Sequence, residues 1–125
     1  MRLNIATRNK LLDDGLDFDG GTLYCYTLPR PASAEAAVTG TLLGSVTLPT
    51  PALAAAVSGV VAKAGTWAGT GVAAGTVGYG RLVSATGDRR IDLLAGTELL
   101  MDDYEVTEDG SFEVTGVAIT MPAGV

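Results

Sequence analysis

Histidine is absent from this 125-residue chain, and cysteine occurs once, at Cys25. Without histidine there is no Ser-His-Asp triad and no Cys-His pair. A lone thiol closes no disulfide within the chain and furnishes none of the usual zinc sites. Charge is also sparse, at 18% of residues, where an average soluble domain carries about 25%. Long apolar runs are missing. The most apolar stretch, Pro51 to Ala64 (PALAAAVSGVVAKA), is interrupted by Ser58, Gly59 and Lys63 and falls short of the roughly 18 residues that span a bilayer. The opening MRLNIATRNKLLDDG lacks the sustained apolar core of a secretory signal. Synthesis in a cytoplasm and no membrane partner are therefore expected. Basic residues number 8 against 14 acidic ones, a net charge of −6. Phosphate backbones require a dense basic surface, so nucleic acid is not an expected partner either.

What is present suits a packed domain. Hydrophobic residues make up 47% of the chain, enough for a core and too many for disorder, and the length accommodates one domain. Composition changes after residue 20. Before it, Thr7 is a plausible N-cap for a short helix through RNKLLDD, with Leu11 and Leu12 as apolar contacts and Gly15 as the stop. Residues 1–20 thus read as an N-terminal arm with a short helix, and residues 21–125 as one domain.

From Gly20 onward the punctuation is that of a β protein. Thr22 to Leu28 (TLYCYTL) is aromatic and β-branched, with Leu23 and Cys25 on one face and Tyr24 and Tyr26 on the other. Thr41 to Leu48 reads as a second strand, closed by Pro49-Thr50-Pro51, and Arg30 to Gly40 as a polar, alanine-rich loop. Pro51 to Ala64 mixes helix-favouring LAAAV with strand-favouring Val60-Val61, and reads as an irregular stretch followed by a strand over Gly59 to Ala64. Gly65 to Gly75 reads as a glycine-rich loop carrying Trp67, and Thr76 to Ser84 as a strand. A turn at Ala85 to Asp88 leads into a strand over Arg89 to Leu94, and a short strand follows at Glu98 to Met101. Ser111 to Met121 is the longest strand, with strict alternation placing Phe112, Val114, Gly116, Ala118 and Thr120 together. Short strands with turn signals about every 8–12 residues predict an all-β, jelly-roll-like antiparallel β-sandwich.

Several constellations invite chemistry and fail its spacing rules. Asp13 to Gly20 (DDGLDFDG) does not reproduce an EF-hand loop, since Gly15 falls at the first ligand position and Tyr26 at the twelfth. Gly69-x-Gly71-x-x-x-Gly75 is followed by a predicted strand, whereas a phosphate loop needs a helix N-terminus there. Asp102, Asp103, Glu105, Glu108 and Asp109 offer carboxylates for glycoside chemistry, but they cluster in one turn-rich stretch that suits solvent exposure better. No catalytic residue, cofactor or metal is expected. Tyr24, Tyr26 and Tyr79 read mainly as core residues, with Trp67 and Tyr79 the candidate contacts for an oligomer, another partner or a glycan.

Taken together, RNKLLD, GGTLYCYTLPRPASAEAAVTGTLLGSVTLPTPA, the stretch from SGVV to TW, YGRLVSATGD and VTGVAITMPAG resemble a family of virion structural proteins of tailed bacteriophages. Gly21 to Pro51 is the most telling block, and the blocks in order cover nearly the whole chain. The resemblance implies a capsid decoration (cement) protein with a jelly-roll-like sandwich, present as a dimer or trimer on the outer surface of the virion head. The major capsid protein is its implied partner. On this view residues Met1 to Leu12 form the capsid-anchoring arm, with Leu3, Ile5, Arg8 and Lys10 as the contacts. The competing implication is a head-fibre, neck or tail module that engages a host glycan through Trp67 and Tyr79.

Overall fold

Glycine-punctuated apolar segments give ten strands in the computed structural model, which describes residues 4, 6, 18–32, 36–87 and 90–120. They are β1 (Thr22–Tyr26), β2 (Leu42–Thr47), β3 (Val60–Ala62), β4 (Trp67–Gly71), β5 (Gly75–Thr76), β6 (Tyr79–Val83), β7 (Arg90–Leu94), β8 (Leu99–Met101), β9 (Glu105–Val106) and β10 (Ser111–Thr120). Every strand pair is antiparallel, so the all-β reading of the turn spacing holds. One eight-stranded sheet runs β3-β10-β4-β2-β1-β6-β7, with β8 also on β10, and β5 pairs with β9 as a separate ribbon. The predicted arm helix and its contacts Leu3, Ile5, Arg8 and Lys10 lie outside the described residues, as does most of the acidic run from Asp13. Phe18 is buried in the core, so the folded body takes in residues assigned above to the arm.

The large sheet curls. Its end strand β7 meets β8, the branch on β10, at a tight corner where Ala95 bridges Leu99 and the Gly96 N–H donates to Leu99 O at 2.9 Å. Two β-bulges help bend it, each adding one residue to one strand of a pair and sharpening the local twist. One lies between Cys25 and Tyr26 opposite β2, and the other between Val114 and Gly116 opposite β8. The second explains why strict alternation misassigns the end of β10. Phe112 and Val114 are buried as expected, but beyond the extra residue Val117 takes the core position, because a shift of one residue exchanges the faces of a strand.

Two segments depart from their expected conformations. The glycine-rich stretch with Trp67 is a strand, β4, wedged between β2 and β10. Its glycines serve close packing: a Cβ added at Gly69 would collide with Ser45 O and sit 3.0 Å from the Phe112 ring. The glycine signal for a loop and for a crowded strand is the same, and only the neighbours decide between them. The alanine-rich stretch forms a hairpin. Ser58 and Gly59 both have positive φ, as a two-residue I′ turn requires. Val57 and Val60 exchange backbone hydrogen bonds of 2.9 and 3.0 Å across that turn. Helix propensity in LAAAV yields here to pairing of Leu53 with Lys63.

Inside the curl, Leu23, Cys25, Leu43, Val46, Leu82, Leu93, Leu99 and Val114 pack with the fully buried Trp67. The Trp67 indole N–H donates to Ala64 O at 3.1 Å, satisfying its one polar atom. Burial pushes the Cys25 thiol up to about 12 from an ordinary 9.0, because the thiolate would lose its hydration. The sign follows from linkage. The unfolded chain releases this proton first, so stability from the neutral thiol is full below pH 9 and declines as pH rises toward 12. Cys25→Ala is expected to flatten this part of the stability profile, measured by denaturant titration at successive pH values. The native thiol should also stay unlabelled by a thiol reagent until the chain unfolds; rapid labelling of the folded protein would contradict the assignment.

Candidate functional site

Two groupings of side chains stand apart from the apolar core. The first lies on the outer face of β1, β6 and β7. Register places Tyr26 opposite Tyr79, and Tyr24 opposite Arg81, which faces Asp92 on β7. The Tyr26 and Tyr79 rings stack at 5.2 Å with 17° between planes. Arg81 holds Asp92 in a fork, Nε to Oδ1 at 2.7 Å and Nη2 to Oδ2 at 3.1 Å, while Nη1 donates to Ala36 O at 2.8 Å. The Asp92 hydrogen bonds raise the Arg81 pKa further above its already high value. Desolvation pushes the Tyr26 phenol upward.

Ala36 belongs to the segment from β1 to β2 that reads in the sequence as a polar loop. In the fold Ala36 lies against this outer face through its bond from Arg81, which is 5% exposed, and Pro31 of the same segment is buried. A strand with one buried face alternates, but β6 is buried on both faces through Tyr79 to Leu82. The Tyr79 hydroxyl is sealed without a hydrogen-bond partner among the described residues. The cluster therefore fastens this segment to the sheet.

The burial of Tyr26 and Tyr79 agrees with their reading as core residues, whereas the contact roles expected of Trp67 and Tyr79 are corrected. Trp67 and Tyr79 are both 0% exposed, so neither side chain offers a surface to another subunit or a stacking platform to a sugar. Their strands bring them to the interior and to the covered face respectively, which alternation along a single strand does not reveal.

The second grouping is at the end of the sheet where β1 and β4 finish and β2 and β6 begin. Leu28, Val38, Leu42 and Val72 are all exposed there, from 37% for Leu42 to 62% for Leu28. Hydrogen bonds made by Val72 and by neighbours of the other three tie these stretches together. Thr27 N–H donates to Thr41 O at 3.1 Å, Val72 N–H to Leu43 O at 2.7 Å, and the Thr39 hydroxyl to Pro29 O at 2.6 Å. Leu28 also lies over Gly78, where any Cβ would collide with its side chain. A depression of about 290 Å³ is lined by Thr76, Val77, Ala95, Gly96 and Tyr104.

An acidic ridge borders this apolar end. The β5–β9 ribbon sets Glu105 beside Thr76, whose hydroxyl donates to it, and Asp109 N–H donates to Gly71 O at 2.9 Å. Asp102, Asp103, Glu105, Glu108 and Asp109 are all exposed, as the clustering in a turn-rich stretch implies. Asp102 and Asp103 accept local backbone N–H groups, from Asp103 at 2.8 Å and Glu105 at 2.9 Å. From residue 91 to the end of the sequence there is no lysine or arginine. Among the described residues no group of three or more cysteine or acidic side chains is placed to hold a metal ion. The strand β9 within this stretch has no signal in the sequence, because two residues are too few to show a period.

No family model, curated protein or solved structure matches the chain.

Proposed function

We propose that this chain is a capsid decoration (cement) protein of a tailed bacteriophage, a non-enzymatic jelly-roll-like sandwich on the outer surface of the head. Each copy bridges neighbouring major capsid protein subunits and adds buried area between them. The observation that carries the reading is the exposed aliphatic end formed by Leu28, Val38, Leu42 and Val72. Solvent is offered contact surface there, while Arg81, Asp92 and the Trp67 indole are engaged inside the fold. A surface of this kind acts by covering another molecule, and apolar patches rimmed by polar groups mark interaction sites. Repetition over a lattice makes modest contacts sufficient, since each docked copy raises the effective concentration of its neighbours' contacts. The net charge of −6 discourages uncontrolled self-association before assembly.

The reading is tested on purified particles. The chain is expected in a fixed ratio to the major capsid protein, at a copy number comparable with it. Particles lacking the chain are expected to release their DNA at a lower temperature. Its presence in only a few copies per particle, or its absence from particles, would overturn the proposal.

A further inference from the structure

Among the described residues, β7 pairs with β6 and with no other strand, so one side of its backbone is open. The corner at its end shows which groups face that side. The Leu94 N–H donates to the Glu98 carboxylate at 3.1 Å, and Leu94 O accepts the Glu98 N–H at 3.1 Å. Leu94 therefore turns both backbone groups away from β6. Bonding in an antiparallel ladder alternates, so Leu93 and Ile91 bond to Gly80 and Leu82. Asp92 and Arg90 present their N–H and C=O groups outward. Glu98 caps the edge at Leu94, which leaves Arg90 to Leu93 as its open length.

This length is complementary to itself. A second β7 laid antiparallel, with Arg90 opposite Asp92, forms two bonded pairs about a two-fold axis, each exchanging both N–H···O bonds. Exposed Arg90 then stands across from Asp92 of the other copy, twice over, and directly opposed unlike charges favour that register. The Arg81 fork takes one site on each Asp92 oxygen, which leaves lone pairs for a second cation. The axis passes between the two copies of Ile91, a non-bonded pair whose side chains stand closest. Ile91 is half-buried against the core, and its remaining apolar surface meets its own counterpart. Shifting the register by two residues sets Arg90 against Arg90 or Asp92 against Asp92. A shift of one sets outward groups against residues whose bonds already go to β6.

We infer that β7 pairs antiparallel with β7 of a second copy of the chain, in the register Arg90 to Asp92, and joins the two large sheets into one. The contact is isologous, so it closes at a dimer and leaves neither β7 edge open to further strands. It uses a surface separate from the exposed aliphatic end and does not depend on the virion reading.

Disulfide trapping on the full-length protein tests it. Ile91→Cys sets two thiols across the axis at the roughly 4.5 Å Cα spacing of a non-bonded pair, within the range a disulfide spans. The native Cys25 is buried and stays silent. Leu100→Cys, 42% exposed on β8, is the control. Under mild oxidation I91C is expected to form a covalent dimer roughly tenfold faster than L100C. Adding Arg90→Glu should remove that advantage, because Glu then faces Asp92 of the other copy. Sedimentation of the unmodified chain over a dilution series is an independent measurement. It should show a monomer–dimer equilibrium that R90E shifts at least tenfold toward monomer. Equal trapping rates for I91C and L100C would overturn the inference. So would an unmodified chain that stays monomeric throughout the series, or a dimer that R90E leaves intact.

Discussion

Arg81→Ala is expected to lower the unfolding free energy by about 3–5 kcal/mol, a large share of the roughly 5–15 kcal/mol available to a natural domain. The size follows from burial. The Arg81 and Asp92 side chains are only 6% and 9% exposed, so removing the guanidinium leaves a carboxylate in a low-dielectric site with its partner gone. The Ala36 carbonyl loses its donor as well, which detaches the segment that lies against the outer face. Replacing both members, as Arg81→Met with Asp92→Leu, is expected to cost much less than either single truncation, because no charge is stranded. Urea titration of the three variants measures the difference, and hydrogen exchange reports the release of residues 36–40. A loss below about 1 kcal/mol for Arg81→Ala, typical of an exposed ion pair, would refute the account of a buried clasp.

Trp67→Ala should cost a comparable 3–5 kcal/mol by leaving a cavity the sheet cannot collapse to fill. The indole is fully buried, beside Val114 across the β4–β10 pair, and the crowded glycines of β4 restrict backbone movement into the gap. Trp67→Phe retains most of the apolar volume and is expected to lose far less, including about 1 kcal/mol for the missing N–H bond to Ala64 O. As the sole tryptophan, Trp67 also reports its own environment. Its fluorescence in the native protein should resist an aqueous quencher, becoming quenchable in step with unfolding. Ready quenching in the native state would return Trp67 to the surface, where the glycine-rich sequence places it.

These two residues mark where reading along the chain succeeds and where it stops. Strand periodicity locates β1, β2, β6, β7, β8 and most of β10 because alternation at a half-buried sheet surface leaves a period of two. It fails for β4, since WAGTG alternates only in size and glycine accompanies loops and tight strand contacts alike. The extra residue at the β10 bulge leaves no mark on alternation until β8 is seen opposite it. Tyr79 and Arg81 alternate correctly with Gly80 and Leu82, yet both faces of β6 are buried because a segment from elsewhere lies against one of them. The exposed Leu28, Val38, Leu42 and Val72 carry no shared motif and become neighbours only when the ends of β1, β2 and β4 converge.

Composition by itself determined the absence of histidine chemistry, the lack of a disulfide within the chain and the excess of negative charge, since these depend on which residues exist and not on where they lie. Turn spacing and alternation determined an all-β antiparallel class, because both are set by a few consecutive residues. Only the tertiary structure decided that Trp67 and Tyr79 are sealed, that Arg81 clasps Asp92, and that an aliphatic end lies beside an acidic ridge. Those outcomes depend on contacts between residues tens of positions apart, whose energies come from burial and low dielectric that no local pattern records.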